Sequence, residues 1–157
     1  MTAQINPGLI FQICGQLAML GWLCLLLTPL WPRRVREYYP RLIGAICIPA
    51  IIAVVYTAVI VTHWSGHPGG FNSLDAVMQL FTDRWLVLAG WVHYLAFDLF
   101  IGGWELSDSR ERRIPHLAMV PILLLTFFFG PIGFLAYLLL RTILRQRPPA
   151  PASRQAA

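Results

Sequence analysis

The sequence predicts an all-α, polytopic transmembrane bundle of about four spans, and two observations carry that expectation. Of 157 residues, 57% are hydrophobic and 12% charged, with a mean hydropathy of +0.63, whereas a soluble domain carries about 25% charged residues. The apolar residues also fall in runs long enough to cross a hydrocarbon layer of about 30 Å at about 1.5 Å per residue. Six Trp, nine Phe and five Tyr supply the aromatic load of interfacial belts and lipid-facing walls. One transmembrane domain is expected over residues 1–146, followed by a Pro/Ala-rich tail, 147–157, expected to be disordered.

The first run extends from Gly8 to Trp31. It lacks the basic start and small-residue cleavage site of a secretory signal, so it is read as a retained span. The second extends from Leu42 to Thr62, the third from Trp85 to Gly103 and the fourth from Pro115 to Leu140. Arg33, Arg34, Arg36 and Arg41 place the first connection in the cytoplasm, and Arg110, Arg112 and Arg113 place the third there. The N-terminus is then outside. Its lack of transit-peptide character gives a bacterial inner (cytoplasmic) membrane as the expected location.

The fourth run strains this topology, because a crossing exports a tail bearing Arg141, Arg145, Arg147 and Arg154. Gly130-Pro131-Ile132-Gly133 offers either a kink or the turn of a re-entrant hairpin. A single kinked helix is the preferred reading, since each hairpin arm is short and its turn needs protein or water to satisfy its backbone. In the external connection, Asn72 is read as an N-cap, with Leu74, Val77, Met78 and Phe81 forming the apolar stripe of a short amphipathic helix.

Several chemistries are excluded or disfavoured. All twelve basic residues are Arg, so Schiff-base chemistry and a Lys-dependent phosphate loop are unavailable. The net charge of +5 resides in clusters beside hydrophobic runs, which argues for topology and against nucleic acid. Cys14, Cys24 and Cys47 lie in apolar runs without CxxC spacing. Of the histidines, His63 and His67 are separated by Ser65-Gly66, and His93 and His116 lie elsewhere. No metal and no cofactor is expected.

The third span holds the candidate site. Positions seven apart on a helix lie within about 20° of each other, so Arg84, Trp91, Asp98 and Glu105 share a stripe with Tyr94 beside it. His93 falls about 140° from Asp98, and the two cannot pair within this helix. A carboxylate at membrane depth is costly unless paired, neutralised or hydrated. Asp98 is therefore read either as a proton donor and acceptor or as a packing residue bonded to Gln12, Gln16, Tyr56 or an Arg of another span. His93 and Tyr94 are candidate assistants in catalysis. Trp91, Phe97 and Trp104, with Phe100, are candidates for an aromatic wall around a planar, polyene-like ligand. The alternative for these rings is helix packing.

Three segments carry a family resemblance: Phe71-Asn72-Ser73-Leu74-Asp75, Gly90-Trp91-Val92-His93-Tyr94-Leu95-Ala96-Phe97-Asp98-Leu99-Phe100, and Phe129-Gly130-Pro131-Ile132-Gly133-Phe134. Together they resemble the abscisic-acid-deficient-four-like family of plant plastid proteins and bacterial relatives. Trp91, His93 and Asp98 are the positions matching its most specific segment. The resemblance implies a carotenoid-related membrane protein, since plant members are associated with neoxanthin formation, an isomerisation of an epoxide to an allene without net redox change.

The expected function is a cofactor-free isomerase acting on a carotenoid or other isoprenoid, with catalytic Asp98, His93 and Tyr94 and substrate-binding Trp91, Phe97 and Trp104. The alternative is a non-catalytic membrane protein that binds pigment or lipid, or supports assembly of a pathway complex. Expected partners are membrane lipids and the isoprenoid, with a homo-oligomer compatible and nucleic acid not expected.

Overall fold

The computed structural model of the protein describes residues 6–32, 34–35, 38–66 and 68–144. The tail 147–157 with Arg147 and Arg154, and Arg145, Arg33, Arg36 and His67, lie outside the described residues. The structure is 81% helical with no strand among the described residues.

Helix α1 (Pro7–Leu26) opens with Pro7 at its first position and Asn6 as cap, whose Oδ1 accepts the Gly8 N–H at 2.8 Å. A short 3-10 turn, Thr28–Leu30, ends it. Helix α2 (Tyr39–His63) runs back along it. The segment Leu42–Cys47 of α2 is π-helical. Pro49 follows one residue after it, past Ile48, and a proline has no N–H to give the carbonyl four residues back; a wider turn is the usual accommodation.

Helix α3 (Leu74–Leu80) is the short helix expected between the second and third runs. Its cap is Ser73, not Asn72: Ser73 Oγ accepts the Ala76 N–H at 3.1 Å. The apolar stripe also divides. Leu74, Met78 and Phe81 are exposed, while Leu80 is buried. Helix α4 (Arg84–Glu111) is capped by Asp83, whose Oδ1 accepts the N–H groups of Trp85 and Leu86 at 2.8 and 3.1 Å. It outlasts the expected Gly103 end by two turns.

Helices α1, α2 and α4 are the three long and apolar enough to cross a membrane by length and composition. They meet at glycines. A Cβ on Gly103 of α4 would lie 1.9 Å from Ala45 Cβ of α2, and one on Gly102 would lie 2.5 Å from Trp22 of α1. Only residues without side chains let the backbones approach so closely. Helix α4 is the central element and also the least hydropathic of the three. Its flanks are covered by protein, so it accommodates Asp98, Glu105 and Asp108 where an outer helix would expose them.

The fourth apolar run is the main departure from expectation. In place of one kinked helix it forms two, α5 (His116–Phe129) and α6 (Pro131–Ile143). Gly130 separates them at φ +41°, ψ −93°, a conformation that favours glycine. Contacts along α4 fix the direction of each arm. Near the start of α5, Ile114 N–H donates to Ser109 O, and near its end Phe127 O receives the Tyr94 hydroxyl. Helix α6 then starts beside Asp98, at Gly130, and returns so that Tyr137 and Arg141 reach Asp108. The arms are therefore antiparallel, a hairpin, and they cross tightly: a Cβ on Gly133 would lie 2.1 Å from Thr126 N. At 14 and 13 residues, each arm is about 20 Å long, short of a full crossing. The turn's polar groups are covered by α4, which removes the objection to a hairpin that the sequence raised.

Candidate functional site

The hairpin tip, α1 and α4 enclose a mostly apolar cavity of about 440 Å³. Trp91, Tyr94 and Asp98 line it from α4, Trp22 and Met19 from α1, and Phe127 and Phe128 from α5. Heptad spacing on α4 explains why Trp91 and Asp98 face the same space. Trp91 stands 5.5 Å from the Phe11 ring and 5.6 Å from Tyr94, centroid to centroid, while Trp22 meets Phe127 edge-on at 5.5 Å. These are the offset and edge arrangements that aromatic side chains prefer.

Asp98 is held against the hairpin turn. A Cβ built on Gly130 would lie 2.8 and 2.9 Å from its two carboxyl oxygens. Asp98 Oδ2 is buried and has no hydrogen-bond partner among the described residues. The packing partners considered from sequence do not meet it: Gln12 and Gln16 are exposed on α1, and Tyr56 lies beside His93 at 5.4 Å. Tyr94, one turn from Asp98, donates its hydroxyl to Phe127 O at 3.2 Å. That carbonyl belongs to the last turn of α5, where helices leave acceptors unsatisfied, so Tyr94 ties the cavity wall to the hairpin.

The six sequence candidates thus divide into three places. Asp98, Tyr94 and Trp91 come together at the cavity. His93 and Phe97 lie on another, exposed face of α4 and stack on each other at 4.6 Å, as their angular offset implied. Trp104 lies nearer the other end of α4, edge-on to Tyr137 at 5.6 Å and with the Arg141 guanidinium 5.9 Å from its ring centre. The remaining described histidines are far from these: His63 stacks on Trp85 at 4.1 Å, and His116 Nε2 bonds Leu26 O at 2.9 Å.

Two polar clusters on α4 lie outside the catalytic and substrate-binding residues expected from the sequence. Glu105, fully buried, accepts the Thr126 hydroxyl at 2.9 and 3.1 Å. Asp108 receives Arg112 Nε at 2.7 Å and the Tyr137 hydroxyl, with Arg141 Nε at 3.6 Å. The seven-residue stripe already placed Glu105 with Asp98. Nothing local pointed to Thr126 or Tyr137, because their partners lie 21 and 29 residues away.

A family model described as ABA DEFICIENT 4-like matches residues 9–137. That stretch includes every residue that lines the cavity and most of the hairpin. No curated protein and no solved structure matches the chain.

Proposed function

The chain belongs to the ABA DEFICIENT 4-like family, which relates to carotenoid and xanthophyll metabolism, and we propose that it is an integral membrane isomerase acting on a carotenoid or related isoprenoid. One observation carries this reading: a carboxyl with an unpartnered buried oxygen faces a cavity walled by aromatic rings. Rings and aliphatic side chains suit a polyene, and a carboxyl supplies the proton movement that an epoxide-to-allene rearrangement needs. In its protonated form Asp98 gives a proton to the epoxide oxygen as the C–O bond breaks. The resulting carboxylate takes a proton from a neighbouring carbon as the new C=C bond forms. Atoms and charge balance, the carboxyl is regenerated, and nothing is oxidised or reduced. Tyr94 and Trp91 hold the substrate against Asp98; His93 and Phe97 have no part in this step because they face elsewhere.

The membrane placement rests on α1, α2 and α4. In that frame the chain enters at the Asp108 end after α1, leaves along α2, re-enters along α4, and dips back through the hairpin. Arg41, Arg110, Arg112 and Arg141 then share one end, which would be the cytoplasmic face of a bacterial inner membrane.

The rival reading, a protein that holds pigment or lipid without reacting, is favoured by the Tyr94 hydroxyl bonding the Phe127 carbonyl, a tie that packing by itself explains. Expression in a pigment-free host supplied with candidate carotenoids, followed by chromatography of extracts, separates the two. New product is expected from the parent chain. Asp98→Asn should lower its formation by about 10²-fold or more at equal membrane abundance. Undiminished product from that variant would overturn the acid–base role, and unchanged bound pigment from the parent would favour the binder.

A further inference from the structure

The outer face of α1 carries a seam that meets the cavity only at Met19. Cys14, Ala18 and Leu25 are buried and mark the inner side of this helix. At about 100° per residue, Leu9, Gln12, Gln16, Met19 and Leu23 centre about 160° away from that inner side. All five are exposed: Leu9 at 54%, Met19 at 48%, Leu23 at 43%, and both glutamines. Their spacing is three, four, three, four, the alternation of a coiled-coil seam. Neither glutamine side chain has a hydrogen bond within the described residues. Gln16 lies near the middle of the 20-residue helix, where a lipid environment offers an amide neither donor nor acceptor.

We infer that this seam is the contact between two copies of the chain, packed parallel through α1 and locked by Gln12 and Gln16. A second copy is the occupant that fits for two reasons. A side-chain amide is both donor and acceptor, so identical amides facing each other across a two-fold axis satisfy one another. Two copies inserted in the same sense also present identical seams in parallel, in register, which is what knobs-into-holes packing requires. Polar residues at single seam positions fix register in such pairs, and side-chain amides hold membrane helices together. The cavity at Asp98 lies beside this seam and shares Met19 with it. The inference rests on the membrane placement proposed above.

The test begins from a chain lacking Cys14, Cys24 and Cys47, expressed in membranes. Single cysteines are introduced as Leu9→Cys, Gln16→Cys and Leu23→Cys on the seam, with Val54→Cys and Val61→Cys as exposed controls on α2. Resistance to alkaline carbonate extraction is scored first. Extraction of the protein would refute the membrane placement itself, and crosslinking is then read only on retained protein. Under a mild copper oxidant, seam variants are expected to form disulfide-linked dimer at least tenfold more than the controls. Equal crosslinking at seam and control positions, absence of self-crosslinking, or capture of a different protein overturns the inference. A second measurement avoids the cysteine replacements: Gln12→Leu/Gln16→Leu in the otherwise native chain should weaken self-association on the order of tenfold. Association equal to that of the parent would overturn the role of the amides.

Discussion

Replacing Gly130 with alanine is the most direct probe of how the hairpin and the candidate site depend on each other. Two costs arise. At φ +41°, ψ −93°, a residue bearing a Cβ is strained by about 1–3 kcal/mol. The new methyl would also meet Asp98 at 2.8 Å from Oδ1, 2.9 Å from Oδ2 and 3.2 Å from Cγ, tighter than ordinary contact. Forced displacement in a packed interior costs about 1–3 kcal/mol. The sum, about 2–6 kcal/mol, is large beside the total stability of most proteins. The assay is thermal denaturation in detergent, followed as the fraction remaining monodisperse after heating, and Gly130→Ala should melt several degrees below the parent. The decisive comparison is a double-mutant cycle with Asp98→Ala, which removes the carboxyl that the methyl strikes. The steric part should vanish in that background and the backbone part persist, giving a coupling of at least about 1 kcal/mol. A neutral Gly130→Ala, or a cost unchanged by removing the Asp98 carboxyl, would refute the seating of the turn on Asp98.

Two further outcomes follow from the same arrangement. A maleimide-reactive cysteine placed at Ile143 should label from the same membrane side as one at Arg113, and from the opposite side to one at Phe71; labelling of positions 143 and 71 from a common side would exclude the hairpin. Thr126→Val removes the hydroxyl bonded to fully buried Glu105 and should cost about 1–3 kcal/mol. Adding Glu105→Leu should restore much of that loss in the same melting assay, because neither position then buries a polar group without its partner; no recovery would argue against this pairing.

The hairpin also has a topological consequence. A single crossing by the fourth run would carry Arg141 away from Arg110 and Arg112. By turning at Gly130, α6 brings Arg141 to Asp108, within 3.6 Å of the carboxylate that also binds Arg112. These partly exposed pairs contribute little individually. Their larger significance is that, in the membrane placement proposed above, the described arginines, apart from Arg84 at the other end of α4, no longer conflict with one orientation.

Composition and run length by themselves determined that the chain is helical and apolar, because those properties are local sums over consecutive residues. The helical period also separated His93 from Asp98 and joined Trp91 and Glu105 to it, since angular position depends only on spacing along one helix. The break at Gly130-Pro131 was an equally local signal, whereas the cap expected at Asn72 fell one residue later, at Ser73. What the break does was decided by tertiary structure alone: a kink and a reversal share the same glycine and proline, and they differ in whether another helix covers the turn. Here α4 covers it, with Tyr94 bonded to the Phe127 carbonyl and Asp98 seated on Gly130. The cavity wall has the same origin. Trp22, Phe127 and Phe128 reach Asp98 because glycines at 21, 102 and 133 let three segments approach, and no pattern within any one segment encodes that meeting.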